Sequence, residues 1–196
     1  MFIYNDKHSR LPSHSQEVLM SAIKFQAGTH FPLLQVKTLA EGEVTLGKPE
    51  APYDWKLVIV YRGQHCPLCT RYLNELEPLV TEYRELGIDV IAVSADSEEQ
   101  VREHKEKLCI SFPLAYGLTI TQMQTLGLYL STPRSDQETD HLFAEPALFV
   151  INDQGLVQIL DISNAPFARP DLKVLLQGLK FIRDPNNHYP IRGTFV

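Results

Sequence analysis

Hydrophobic and polar positions along the chain alternate between two periods, and the places where one gives way to the other predict most of the architecture. Trp55 to Tyr61 reads as a strand buried on both faces, with Leu57, Val58, Ile59 and Val60 in succession. From Pro67 onward the apolar residues Leu68, Tyr72, Leu76 and Leu79 fall at helical spacing, which predicts a helix to about Leu86, kinked at Pro78 and closed by Gly87. Ile88 to Val93 reads as a second buried strand, and Ser97 opens a helix to about Leu108. Strand, helix and strand in this order form a right-handed crossover with the two strands parallel.

Shorter elements flank this unit. Strands are expected at Leu33 to Lys37 and Glu43 to Leu46, joined by a Glu41-Gly42 turn, and a short helix at Thr119 to Leu126 precedes a polar loop from Ser131 to His141. Ala147 to Ile151 and Leu156 to Leu160, split by Asn152-Asp153-Gln154-Gly155, predict an antiparallel hairpin, and Asp171 to Ile182 a last helix. Residues 1–22 read as a polar extension with an extra helix around Glu17 to Ile23, residues 23–184 as one α/β domain, and residues 185–196 as an irregular tail. At 196 residues and 44% hydrophobic content, one core is the natural count.

The candidate chemistry sits where the central strand ends. Cys66 and Cys69 are three residues apart, and Pro67 suits the first helical position, which makes Cys66 the N-cap. A sulfur there faces free backbone amides and the positive end of the helix dipole, and both favour thiolate. Cys69 lies one turn on and on the same side, at about 5–6 Å, within reach of a disulfide. A zinc site would need a second ligand pair; Cys109 stands alone and the seven histidines are scattered, so no metal is expected. The redox reading is preferred over zinc and over an inert thiol pair, because a CxxC between a strand and a helix is what such chemistry requires.

Charge and hydropathy narrow the classes. A net charge of −6 leaves no basic footprint for nucleic acid, and no apolar run approaches the length of a membrane helix. With no apolar leader in the first twenty residues and an odd cysteine count, the expected location is the cytoplasm.

The run Lys56 to Gly63 followed by His65-Cys66-Pro67-Leu68-Cys69 resembles the signature of the AhpC/TSA, or peroxiredoxin-like, branch of the thioredoxin-fold proteins. Ile91 to Asp96, Phe112-Pro113-Leu114 and Pro146 to Gly155 extend the resemblance, as does Gly28 to Leu34 with Glu41 to Leu46, so that it covers about Lys24 to Arg183. It implies a thioredoxin-like fold: a central mixed sheet flanked by helices, with an N-terminal β-hairpin. It also implies Cys66 as nucleophile, Cys69 as resolving thiol, a disulfide or peroxide substrate, and a thiol reductant such as thioredoxin or glutathione. No metal or organic cofactor is implied, and association of copies stays open.

Peroxiredoxins carry Pro and Thr seven and three residues before the reactive Cys, and an Arg at the start of the hairpin strand; those positions are Ile59, Gly63 and Pro146. Pro146 instead resembles the cis-proline that faces the CxxC in disulfide-handling members, with an ordinary trans proline at a strand start as the alternative. Gly63, His65 and Arg62 join Pro146 as candidate substrate-binding residues. His65 reads either as a protonated support for the thiolate or as an exposed loop residue, and Arg62 more readily as a solvent salt-bridge partner. Glu145 reads as a tuner of the thiols or a solvated loop acid, Trp55 as a core edge, and Cys109 as a buried apolar residue. These features tilt the expectation toward thiol–disulfide exchange, with peroxide reduction and a non-catalytic redox-sensing module as rivals.

Overall fold

In the computed structural model the described residues are 25–40 and 42–195, so the 1–22 extension, its expected helix and Glu41 of the first turn lie outside them. Seven strands form one sheet in the order β2 (Gly42–Thr45), β1 (Gln35–Thr38), β5 (Leu114–Tyr116), β4 (Ile88–Val93), β3 (Trp55–Val60), β8 (Ala147–Ile151) and β9 (Val157–Ile162), with β3 near its middle. Every residue of β3 and of β4 (Ile88–Val93) is buried, as in strands covered on both faces, and the one charged residue in each, Lys56 and Asp89, pair with each other across the ladder as an ion pair. β3 pairs parallel with β4, Trp55 opposite Ile88 through Val60 opposite Val93, and antiparallel with β8 (Ala147–Ile151) on its other side.

The strand period of two divides the core. Leu57 and Ile59 face helices α1 (Pro67–Leu76), α2 (Val80–Glu85) and α5 (Leu172–Arg183), where they meet Leu73, Leu76, Val80, Tyr83, Leu176 and Leu179. Val58 and Val60 face the opposite layer, with Phe31, Leu46, Met123 and Phe149. The fold is therefore the expected mixed sheet with helices on its faces.

The single helix expected over 67–86 is two helices separated by a 3-10 turn at Glu77–Leu79. Pro78 has no N–H to give the Asn74 carbonyl, and its ring crowds that turn, so the α-helical ladder is interrupted. Gly87 closes the second helix at φ 76°, a backbone state that disfavours a side chain. The helix opened by Ser97 is α3 (Glu98–Lys105); the Ser97 hydroxyl and the Gln100 side chain cap it reciprocally.

Three strands went unread in the sequence. Leu114–Tyr116, which begins at the end of the Phe112-Pro113-Leu114 motif, is β5, which lies between β4 and β1 (Gln35–Thr38) and joins the N-terminal hairpin to the sheet. Flanking the expected polar loop, β6 (Leu130–Ser131) pairs with β7 (Phe143–Ala144) as a two-residue ladder. Such short runs have too few positions to display a period. The remaining elements are β2 (Gly42–Thr45), α4 (Ile120–Thr125) and β9 (Val157–Ile162), and the Asn152 carboxamide oxygen closes the last hairpin by accepting from Gln154 N and Leu156 N, both at 3.0 Å. Among the described residues no helix is long and apolar enough to cross a membrane.

Leu73 is fully buried where α1 meets the sheet. Leu73→Ala is expected to lower unfolding free energy by about 2–5 kcal/mol in a urea titration, with the m-value unchanged.

Candidate active site

Strand β3 delivers the chain to Tyr61, and six residues later α1 begins. Cys66 is its N-cap, at φ −103° and ψ 99°, with Pro67 in the first turn. The Cys66 sulfur accepts the Cys69 backbone N–H at 3.3 Å, the role a serine or aspartate oxygen takes in an ordinary cap. Both cysteines are free thiols, and they are 2% and 0% exposed.

The two thiols titrate in opposite directions. The Cys69 thiol, donating to the Cys66 sulfur, lowers Cys66 to about 6; the Cys69 amide, Arg169 and Arg62 add to the effect against the cost of burial. Cys69 is pushed up, first by burial and then by its role as donor. Arg169 Nη2 lies 2.8 Å from the Cys69 sulfur and opposes that rise. The pair shares one proton, and Cys66, with two donors aimed at it and the shallower burial, carries the charge.

The loop before Cys66 is clamped to the end of β4. Asp96, fully buried, accepts the Gln64 N–H at 2.9 Å, and His141 Nε2 lies 3.5 Å from its other oxygen. The Asp96 carboxylate beside it strengthens the tendency of His141 to hold a proton, with Asp140 assisting against burial. Gly63 sits at φ 135° with its Cα pressed against the Asp96 carboxylate, so a Cβ there would overlap it. This accounts physically for the missing threonine: a side chain at Gly63 and a carboxylate at Asp96 exclude each other.

The structure brings Cys66, Cys69, Gly63, Arg62 and His65 together and revises several expectations about their neighbours. Arg62 is not a solvent partner; it is mostly enclosed, 3.3 Å from Glu138 and 3.5 Å from Glu145, with its guanidinium over the Phe143 ring at 4.6 Å. Glu145 is likewise no solvated acid, for it is 6% exposed and accepts the Ser131 hydroxyl at 2.7 Å. His65 packs on Phe143 with ring centres 4.7 Å apart; burial, and then Arg62, push its pKa down, so it stands neutral beside Cys66 and is not a protonated support. Trp55 is buried at the core edge as expected.

Pro146 is not a cis-proline: among the described residues the one cis X–Pro bond is Ala51-Pro52. Ala147 opposite Val60 begins the β8 ladder, so Pro146 stands where no N–H is needed and an ordinary extended proline fits. Cys109 is exposed, not buried; its backbone N–H donates to Asn74 while Leu108 and Phe112 take the inward positions.

Three groups beside the thiols carried no local signal in the sequence. Arg169 reaches Cys69 across a separation of 100 residues, and Asp96 meets the loop across 32. His104, fully buried, shares a hydrogen bond with the Thr70 hydroxyl at 2.9 Å, and burial holds it down at about 4. The Ala95-Asp96 step was visible only as part of a motif. Among the described residues no group of three or more His, Cys, Asp or Glu is placed to hold a metal ion.

The sequence pattern of the AhpC/TSA family matches residues 27–159, more than half of the chain. The chain belongs to the AhpC/TSA family. A curated relative of this family member, thiol-disulfide oxidoreductase ResA of Halalkalibacterium halodurans, is 31% identical over 67 residues, which are 34% of this chain and 38% of that protein. The match therefore spans little more than a third of the relative's length.

Solved structures bear out the fold over a wider span. A peroxiredoxin 6 from Arenicola marina superposes with a TM-score of 0.68 at 17% identity, covering 81% of this chain and 74% of that one. AhpC of Mycobacterium tuberculosis does so with 0.67 at 16%, covering 83% and 95%. Against the family's peroxidase pattern, this AhpC/TSA protein keeps the strand-to-helix cysteine and differs at Ile59, Gly63 and Pro146.

Gly63→Thr combines a strained backbone with an overlap on Asp96, and a loss of about 1–3 kcal/mol in unfolding free energy is expected by thermal or urea denaturation. Carboxymethylation of Cys66 should show a midpoint near the value of about 6 to which the site lowers it. Because the folded pKa is depressed from 9.0, the thiolate's contribution to stability is complete above that value and is lost as pH falls through about 6. Urea midpoints of reduced wild type and Cys66→Ser, compared across that window, should converge toward its acid end.

Proposed function

We propose that the protein is a thiol–disulfide oxidoreductase. The Cys66 thiolate attacks a substrate disulfide and releases one half as a thiolate; Cys69 then attacks Cys66 and releases the other half, leaving a Cys66–Cys69 bond. A thiol reductant of the thioredoxin or glutathione class reopens it. In this reading Gly63, His65, Arg62 and Pro146 line the approach to Cys66, and the reaction takes place in the cytoplasm.

The observation that carries the reading is the Cys69 amide donating to the Cys66 sulfur at 3.3 Å, with the second thiol on the same helical turn. One residue thus supplies both the donor that ionises the nucleophile and the sulfur that resolves it. The ResA similarity supports the same reaction class. Gly63 and Pro146, where the peroxidase pattern has a hydroxyl and a guanidinium, remove two donors that would stabilise a peroxide oxygen gaining charge.

Reduction of peroxide by the same pair is the second reading, favoured by the two guanidinium groups of Arg62 and Arg169 acting on Cys66. In that case the thiolate takes one peroxide oxygen as a sulfenic acid, and Cys69 displaces it as water.

Insulin reduction and hydrogen peroxide consumption, measured side by side, separate the two. Wild type and Cys109→Ser should reduce insulin at equal rates, Cys66→Ser should lose at least about a hundredfold, and Cys69→Ser should stop at a mixed disulfide. Rapid peroxide turnover without insulin reduction would replace the proposal with the second reading.

A further inference from the structure

The resolving step asks for a thiolate where the protein disfavours one. Cys69 is fully enclosed and burial pushes its thiol up, yet it must act as the second nucleophile. The segment between β9 and α5, distant in the chain, brings a cation to that sulfur. Arg169 Nη2 lies 2.8 Å from Cys69 Sγ.

Arg169 is itself held in place. Its Nη1 donates to the Pro166 carbonyl and its guanidinium lies 5.1 Å from the centre of the Tyr72 ring. The Tyr72 hydroxyl in turn donates to the Pro170 carbonyl at 2.9 Å, so the segment is fastened to α1, the helix that carries Cys69. A guanidinium with one N–H bound to backbone and its face on an aromatic ring has few ways to turn aside, and the N–H on sulfur is fixed with it. Arg169 also lines an open cleft of about 600 Å³ together with Tyr129, Asp161, Ser163, Asn164 and Pro170. The charged or titratable groups around it are thus Cys66 and Cys69 on one side, Tyr72 beneath, Asp161 in the cleft and Asp171 at the start of α5.

We propose that Arg169 is a catalytic residue of the resolving step, stabilising the Cys69 thiolate as it attacks the Cys66 mixed disulfide. The proposal rests on the thiol–disulfide reading above. In the resting pair the charge sits on Cys66, and Arg169 acts on it at longer range. Once Cys66 is bonded to the substrate sulfur that charge has left with the first leaving group, and the guanidinium is the cation already in contact with the remaining thiol. Cys69 gives up its proton to solvent, its thiolate attacks Cys66, the Cys66–substrate S–S bond breaks with the substrate sulfur leaving as a thiolate, and the Cys66–Cys69 bond forms. The substrate disulfide is reduced by two electrons and the thiol pair is oxidised by two.

Glutathione disulfide serves as the probe, with the Cys66–glutathione adduct followed by rapid quenching and mass spectrometry in wild type, Arg169→Met and Arg169→Lys. Formation of the adduct should change by no more than about tenfold in Arg169→Met, since Arg169 is a minor contributor at Cys66. Decay of the adduct to the internal disulfide should slow by about 10- to 100-fold, the effect expected for loss of one hydrogen bond to a charged group. Its pH profile should move to higher pH, because removing a cation raises the Cys69 pKa, and Arg169→Lys should restore part of both. Decay at the wild-type rate and pH profile in Arg169→Met overturns the proposal, as does an equal loss in Arg169→Lys and Arg169→Met with the pH profile unmoved, which marks a merely structural anchor. A wild type that forms no Cys66 adduct overturns the thiol–disulfide reading itself.

Discussion

Because β3 is hydrogen-bonded on both edges and covered on both faces, the chain can leave it in a usable way only at its carboxyl end, and that end is where α1 starts. The six buried residues Trp55–Val60 fix where the strand stops, and the stop fixes where the helix dipole points. Cys66 lies at the junction, so the register of a central strand, set by apolar burial, decides which sulfur meets the free amide of Cys69. A slip of one residue along β3 would exchange Leu57 and Ile59 with Val58 and Val60 between the two cores, and neither layer could absorb the change in shape. The thiol chemistry is thus secured by packing remote from sulfur.

A second layer of restraint comes from charge. The loop between β3 and α1 bears no apolar residue that could anchor it between Tyr61 and Cys66, and polar contacts take that role: Asp96 on Gln64 from the end of β4, and Glu138 and Glu145 on Arg62 from either end of the segment that leads into β8. Buried carboxylates are costly to desolvate, and these are matched with amide or guanidinium donors. Asp96 also shows why a family motif can lose one of its members without losing its shape. The space a threonine side chain would fill at position 63 is occupied by a carboxylate from the loop that follows β4.

The sequence was legible where period and chemistry were local. The runs of β3 and β4, the Cys66-Pro67 helix start, the Asn152 to Gly155 turn and the Ser97 cap each declare themselves within a few residues, and the structure has all of them. Pro78 announced a disturbance in the first long helix, although a complete break was not read from it. What stayed hidden depended on partners far along the chain. Arg169 lies in an ordinary Pro-flanked loop, and nothing within ten residues of it points to sulfur; the burial of Glu145 and Arg62 arises from each other and from Phe143. Pro146 was misjudged for a related reason: its resemblance to a cis-proline rests on position before a strand, and position does not fix the isomer.

Cys66, with 2% of its surface open, has a consequence for how reactivity should be understood. An enclosed nucleophile reacts at its intrinsic rate multiplied by the fraction of time its surroundings part, so ionisation and access are separate factors in one observed rate. A small reagent needs only a narrow breach and samples many such fluctuations, whereas a folded protein bearing a disulfide needs a wide one. The enclosure is therefore a size filter, and the neighbouring loops, more than the sulfur, decide how steeply reactivity falls with the bulk of the partner.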